Sequence, residues 1–164
     1  MDNFPLAGGV NYRPGSRLVK VSYSNNIYAI EPGNVRRKIA NAEVASALYG
    51  PNWEKTVRVI HENFMLNLTT GEPLTSSTPH NGQFVRAADS DVVYWVRRNA
   101  MMPMRNISST LQADVRDISA SVLQTRPIEN TTPTYAEFSQ YVPGQKTATI
   151  DWQVRMYKKV YEVL

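Results

Sequence analysis

The sequence predicts a mainly β protein with short helices, of the α+β class, built from two related small β-rich modules and a C-terminal arm. Three observations support this prediction. Short apolar runs alternate with clusters of turn-forming residues, which is typical of strands and hairpins. The same order of runs and turns occurs twice along the chain. A polar stretch that contains several prolines then separates the second copy from one last apolar segment.

The internal repeat appears when the chain is compared with itself at an offset of 66 residues. Residues 18–20 (Leu-Val-Lys) fall on residues 84–86 (Phe-Val-Arg), and residues 26–30 fall on residues 92–96 without a gap. Beyond the strands the offset drops to 58, and Val57 then falls on Val115. We therefore expect two modules that superpose. The predicted boundaries are 1–74 for the first module, 80–128 for the second, shorter module and 129–164 for the arm.

Turn and cap signals divide each module into elements. Pro32-Gly33 predicts a turn before a third strand over residues 35–39. Asn41 is a suitable N-cap for a short helix that Gly50-Pro51 ends, and the run that opens at Trp53 predicts a fourth strand. In the second module, residues 100–104 take the place of the third strand and residues 108–115 that of the helix.

Composition and charge exclude several classes of function. The chain of 164 residues has no Cys and two His, so thiolate catalysis, disulfides and Cys-based metal sites are excluded. The net charge is +4, but the excess is spread thinly, and specific nucleic-acid binding is not expected. The one basic cluster, Arg36-Arg37-Lys38, is a candidate contact patch, although such a run is more often a solvated strand face.

Part of the chain resembles a known surface module. Residues 11–20 (Asn-Tyr-Arg-Pro-Gly-Ser-Arg-Leu-Val-Lys), 27–33 (Ile-Tyr-Ala-Ile-Glu-Pro-Gly) and 47–53 (Ala-Leu-Tyr-Gly-Pro-Asn-Trp) carry the likeness. The string resembles a tandem module of bacterial cell-surface and S-layer-like proteins, closely over residues 4–73 and loosely over 82–126. The resemblance implies a β-rich fold and a surface setting, and it brings no catalytic group with it. The sequence departs from the family pattern at Asn34, where a second glycine is usual, and at Arg37-Lys38, where an aromatic is usual.

Other residues are candidates for binding or catalysis. Tyr28, Tyr94 and Trp95 would form a glycan-stacking platform if their rings shared one exposed face, but a repeated strand aromatic is more often a core anchor. His61-Glu62 resembles half of an acid–base pair, and residues 89–91 (Asp-Ser-Asp) resemble half of a cation loop. Neither has the further groups that such sites need. We expect no catalytic residues, no metal site and no cofactor.

The arm is the predicted partner-binding segment. It has an alternating apolar pattern near its end, and the side chains expected to bind another subunit are Trp152, Val154, Met156, Tyr157 and Tyr161. The sequence favours a non-enzymatic structural unit of a protein shell or surface array, with other protein subunits as partners. The alternatives are a minor capsid or cement protein of a virus particle and, in another class, a glycan-binding surface module.

The expected location is a particle or cell surface, either a virion or a bacterial surface layer. No signal peptide or transmembrane segment is visible in the sequence, so we expect synthesis and assembly in the cytoplasm.

Overall fold

The prediction of a mainly β fold with short helices is confirmed. The computed structural model describes residues 13–104, 107 and 109–129. Within them it contains one sheet of five strands and one of four, each with short helices packed on it.

The first sheet has the strand order β4-β1-β2-β3-β5. The three central strands form antiparallel pairs, whereas β4 runs parallel to β1 and β5 runs parallel to β3. Parallel neighbours need a crossover connection, and the helices of this module supply the crossovers. The strands are β1 (Leu18–Lys20), β2 (Tyr28–Glu31), β3 (Val35–Ile39), β4 (Val57–Val59) and β5 (Thr69–Leu74).

Helix α1 (Ala42–Tyr49) connects β3 to β4, and helix α2 (Glu62–Leu66) connects β4 to β5. As predicted, Asn41 caps α1: its side-chain oxygen accepts a hydrogen bond from the Val44 N–H at 2.9 Å. The predicted start of the fourth strand at Trp53 is wrong. Trp53–Thr56 form a 3₁₀ turn, in which the Thr56 hydroxyl donates to the Trp53 carbonyl at 2.7 Å, and the strand begins at Val57.

The second sheet has the order β8-β7-β6-β9, with β9 parallel to β6 and the other pairs antiparallel. The predicted helix over residues 108–115 is shorter than expected, because Val115 already begins β9. The elements are β6 (Phe84–Ala87), β7 (Val93–Arg97), β8 (Ala100–Met104), α3 (Ser109–Gln112), β9 (Val115–Ile118) and α4 (Ala120–Leu123).

The strands that the self-comparison aligned have the same pairing register in both sheets. Leu18 faces Ala29 in the first sheet, and Phe84 faces Trp95 in the second, 66 residues further on in each case. The parallel pairs also agree, because Leu18 faces Val57 and Phe84 faces Val115.

Each sheet is covered on both faces, which leaves two small cores per module. In the first module, Leu18 and Ala29 pack against Leu48 of α1, and on the other face Val19 and Ile30 pack against Met65 of α2. The second module repeats this arrangement. Phe84, Trp95 and Met102 pack with Leu111 on one face, and Val85, Val96 and Met101 pack with Val122 on the other.

The second sheet continues past α4. Ile128 forms a parallel bridge with Met101, and the Glu129 N–H donates to the Met101 carbonyl at 2.8 Å. The first sheet has a parallel pair at the equivalent position, between Thr70 of β5 and Arg36 of β3. Glu129, the first residue of the predicted arm, is therefore hydrogen-bonded to the second sheet. None of the helices in the described part of the chain has the length and apolar character needed to span a bilayer.

Candidate interaction site between the two modules

Two glycine turns meet where the modules pack together. Each turn precedes the first strand of its module, and its glycine N–H bonds to the second strand: Gly15 to the Ile30 carbonyl at 2.9 Å and Gly82 to the Val96 carbonyl at 2.8 Å. Both glycines have positive φ, +74° and +96°. A Cβ atom on Gly15 would lie 2.3 Å from the carbonyl carbon of Gly82. The two backbones therefore touch at a distance that only glycine permits.

The turn of the first module sends an arginine into the second module. Arg13 forms an ion pair with Asp114, and its guanidinium lies over the Phe84 ring, 4.8 Å from the centroid. Burial lowers the pKa of Arg13, and the carboxylate of Asp114 opposes that shift. In the other direction, Arg116 of β9 donates to the Ser16 carbonyl at 2.8 Å. Arginines from both modules thus bond across the junction.

The turn of the second module places His80 against the first module. Its ring is fully buried, and the Tyr49 hydroxyl lies 2.7 Å from its Nε2 atom. Its Nδ1 atom is 3.1 Å from the Asn81 carbonyl and 3.6 Å from a carboxylate oxygen of Glu31. Burial lowers the pKa of His80 to about 3, and burial also raises the pKa of Tyr49. A neutral ring that donates from Nδ1 to Asn81 and accepts from Tyr49 at Nε2 satisfies these contacts.

Gln83 and two arginines complete the polar contacts around His80. The Gln83 side chain accepts from the His80 N–H and donates to the Leu48 carbonyl, both at 2.9 Å. Arg37 forms a 2.9 Å ion pair with Glu31. Arg126 donates to the carbonyl of Pro79, the residue before His80, at 2.6 Å. Of these contacts, the hydrogen bond from Gln83 to Leu48 joins the two modules, and the others brace the groups on either side of the junction.

The arrangement is suited to holding two protein surfaces together. His80 lies beside a carboxylate, as a catalytic base often does, but its ring and the Tyr49 ring are closed off from solvent. A general base must reach a substrate proton, and neither ring nitrogen here is open to one. Among the described residues, no three His, Asp or Glu side chains are grouped to hold a metal ion.

The basic cluster predicted as a contact patch lies on β3, but its side chains do not share one surface. Arg36 donates to the Met65 carbonyl at 2.9 Å and lies over the Tyr28 ring, on the α2 face of the sheet. Arg37 points to the α1 face, where it binds Glu31 and the Glu72 carbonyl. The alternation of a strand separates the neighbours, and both guanidinium groups already have protein partners.

The predicted glycan platform is not one exposed face. Trp95 is fully buried and stacks on Phe84 with 6.5 Å between ring centroids. Tyr28 and Tyr94 are half-buried, and Tyr94 lies on the face of its strand opposite to Trp95. The three rings therefore act as core anchors.

The remaining sequence candidates have local roles. His61 caps α2, with its Nδ1 accepting from the Asn63 N–H, and Glu62 accepts a hydrogen bond from Tyr23. In the turn over residues 89–91, the Ser90 hydroxyl accepts from the Val92 N–H. The predicted partner-binding side chains, namely Trp152, Val154, Met156, Tyr157 and Tyr161, lie outside the described residues.

Sequence reasoning missed the residues of the junction itself. A signal was present, because residues 13–16 (Arg-Pro-Gly-Ser) and residues 80–83 (His-Asn-Gly-Gln) both place a glycine shortly before the first strand of a module. Their offset is one residue larger than that of the strands, so an ungapped comparison does not align them. No repeat or motif in the sequence indicates that His80 and Gln83 contact Tyr49 and Leu48 of α1.

Comparison with known proteins adds little. No protein-family model matches the chain, and no curated protein sequence is significantly similar to it. One solved structure that it resembles is the periplasmic assembly from the ESX-5 inner membrane complex, at 14% sequence identity and a TM-score of 0.30. The match covers 79% of this chain and 37% of that one, so this chain spans well under half of its length. A TM-score of 0.30 does not establish a shared fold.

Proposed function

We propose that this chain is a non-enzymatic structural unit of a protein shell or surface array and that it packs against other protein subunits. The junction between the modules is the observation that supports the proposal. Backbone contact at Gly15 and Gly82, and buried polar bonds in both directions, are features of protein–protein packing.

The use of the titratable groups is consistent with this proposal. His80, Tyr49 and Glu31 would be the candidates for acid–base chemistry, and all three are engaged in the junction. The Tyr49–His80 hydrogen bond joins the modules, and the Arg37–Glu31 ion pair lies beside it within the first module. A subunit of a shell needs such rigidity, because its neighbours must find its surfaces in a constant arrangement.

The kind of assembly that we propose is based on the sequence. The resemblance to S-layer-like modules favours a surface array, and a minor capsid or cement protein remains the alternative within the same structural class. The arm supplies the contact with the next subunit in this proposal. Its apolar side chains at Trp152, Tyr157 and Tyr161 would bury against a neighbouring sheet, and strand addition would satisfy the backbone.

The native mass of the purified chain tests the proposal. Light scattering after gel filtration and sedimentation velocity would compare the full chain with a chain truncated after Glu129. The truncation keeps the hydrogen bond between Glu129 and Met101. We expect the full chain to assemble as its concentration rises and the truncated chain to stay a folded monomer.

A full-length variant controls for the change in length. Trp152→Ser, Tyr157→Ser and Tyr161→Ser together should abolish assembly while circular dichroism shows the same fold. A full chain that stays monomeric at all concentrations would contradict the proposal. Unfolding of the truncated chain would also contradict it, because the arm would then complete the fold of its own modules.

A further inference from the structure

The two modules have separate hydrophobic cores. Within the described residues, each apolar cluster takes its side chains from one module alone. Residues 75–79 (Thr-Ser-Ser-Thr-Pro) connect the modules as a loop without strand or helix. Relative motion of two domains is the normal expectation where their interface is not large and hydrophobic. Separation of the modules would leave each apolar cluster within its own module.

Hydrogen bonds and ion pairs cross the junction in place of a shared apolar core, and one of them requires a neutral histidine. Arg13 pairs with Asp114 from one side, and the Tyr49 hydroxyl lies 2.7 Å from Nε2 of His80 on the other. The Nδ1 proton of His80 is directed to the Asn81 carbonyl, so the next proton that the ring takes up goes to Nε2. That proton removes the lone pair that accepts from Tyr49.

The closed junction disfavours a charged imidazole. From β2, the Glu31 carboxylate lies 3.6 Å from Nδ1 of His80, but Arg37 of β3 already pairs with this carboxylate at 2.9 Å. Arg126, which follows α4, adds a second positive charge. Tyr49 of α1 is neutral, because burial raises its pKa. Burial, with smaller contributions from both arginines, lowers the pKa of His80 to about 3, whereas a hydrated imidazole has a pKa of about 6.5.

From the separate cores, the loop that joins them and the polar junction around His80, we propose that acid opens the junction and separates the two modules while each module keeps its fold. Opening hydrates the ring of His80, so the open form binds the Nε2 proton more tightly than the closed form does. Each step in pH below 6.5 therefore favours the open form, until the closed ring is itself protonated near pH 3. The loop keeps the modules on one chain, so they close again at neutral pH. This opening does not depend on the proposed structural function.

Single-molecule FRET between dyes on the two modules tests the opening in the full chain. The chain has no Cys, so Lys55→Cys and Asp91→Cys place one dye at an exposed position of each module. We expect the ratio of open to closed molecules to rise about 20- to 30-fold between pH 7 and pH 5, because one proton binds with a pKa of about 6.5 in the open form and about 3 in the closed form. The far-UV circular dichroism should be the same at both pH values.

His80→Gln in the same labelled chain removes the titrating ring, and its ratio of open to closed molecules should change far less over this pH range. NMR of the imidazole carbons in the original chain is a second measurement, which decides the matter if the variant is open at every pH. The open molecules should carry a protonated His80 ring and the closed molecules a neutral one.

Four outcomes would overturn the proposal. They are a chain that stays closed down to pH 4, a loss of circular dichroism together with the opening, an equal rise of the ratio in His80→Gln, and a neutral His80 ring in the open molecules.

Discussion

His80 is a histidine whose burial has removed it from acid–base chemistry at neutral pH. Its ring is surrounded by Tyr49 and Glu31 from the first module, and the charges of Arg37 and Arg126 add to the effect of burial. A proton on Nε2 would force the Tyr49 hydroxyl to accept instead of donate, and it would place a charge in a dry junction. Lowering the pKa of the ring to about 3 keeps it neutral over the physiological range.

Stability should therefore fall in acid. The unfolded chain takes up a proton at His80 as the pH falls below about 6.5, whereas the folded chain does so only near 3. The stabilisation is complete above pH 6.5 and is lost progressively toward pH 3. By pH 4.5 the loss from this residue should be about 2–3 kcal/mol. Urea unfolding at pH 7 and pH 4.5 measures it.

The comparison with one variant isolates His80. In His80→Gln the decrease between pH 7 and 4.5 should be smaller by that amount, because every other titratable group is present in both chains. Equal decreases in the two chains would mean that His80 is not held neutral by the junction.

At the scale of single elements, the short helices depend on their ends. Helix α1 has eight residues and helix α4 has four, lengths at which helices are unstable by themselves. Asn41 satisfies one free N–H of α1 with a 2.9 Å bond, and Ser119 does the same for α4 over 3.4 Å. Packing against the sheets contributes the rest of their stability.

Removal of these caps should have unequal effects. Asn41→Ala should lower the free energy of unfolding by about 1 kcal/mol, since the Val44 N–H loses its acceptor. Ser119→Ala should cost less, because its bond is longer and the helix is exposed. Urea denaturation of both variants measures the difference, and Asn41→Ser should restore most of the loss. A greater effect at Ser119 would contradict this account of the caps.

At the scale of the whole molecule, two similar modules become one unit through their glycine turns. The turn at residues 13–16 and the turn at residues 80–83 each bond to their own sheet and also cross to the other module. Because the backbones meet at Gly15 and Gly82, any side chain at this point would separate the modules and weaken the bonds around them.

Gly15→Ala should destabilise the chain by about 3 kcal/mol or more. The new Cβ would lie 2.3 Å from the Gly82 backbone, and the residue would also be strained at a φ of +74°. Gly33→Ala is the matched control, since its φ is +79° but no atom lies within 4 Å of the new Cβ. It should cost about 1 kcal/mol. Equal losses in urea unfolding would mean that the modules do not dock through Gly15.

The sequence alone determined the local elements, because their causes are local. Alternation predicted the strands, Asn41 and Gly50 predicted the ends of α1, and the common offset of residues 18 and 29 aligned a strand pair that both sheets contain. Tertiary structure decided which side chains meet. His80 and Tyr49 are 31 residues apart, and Arg13 and Asp114 are 101 residues apart, so no spacing rule joins them. Burial at the junction lowered the pKa of His80, because that pKa depends on the groups packed around the ring. The alternation of β3 sent Arg36 and Arg37 to opposite faces of the sheet, and only the packed structure shows which element covers each face.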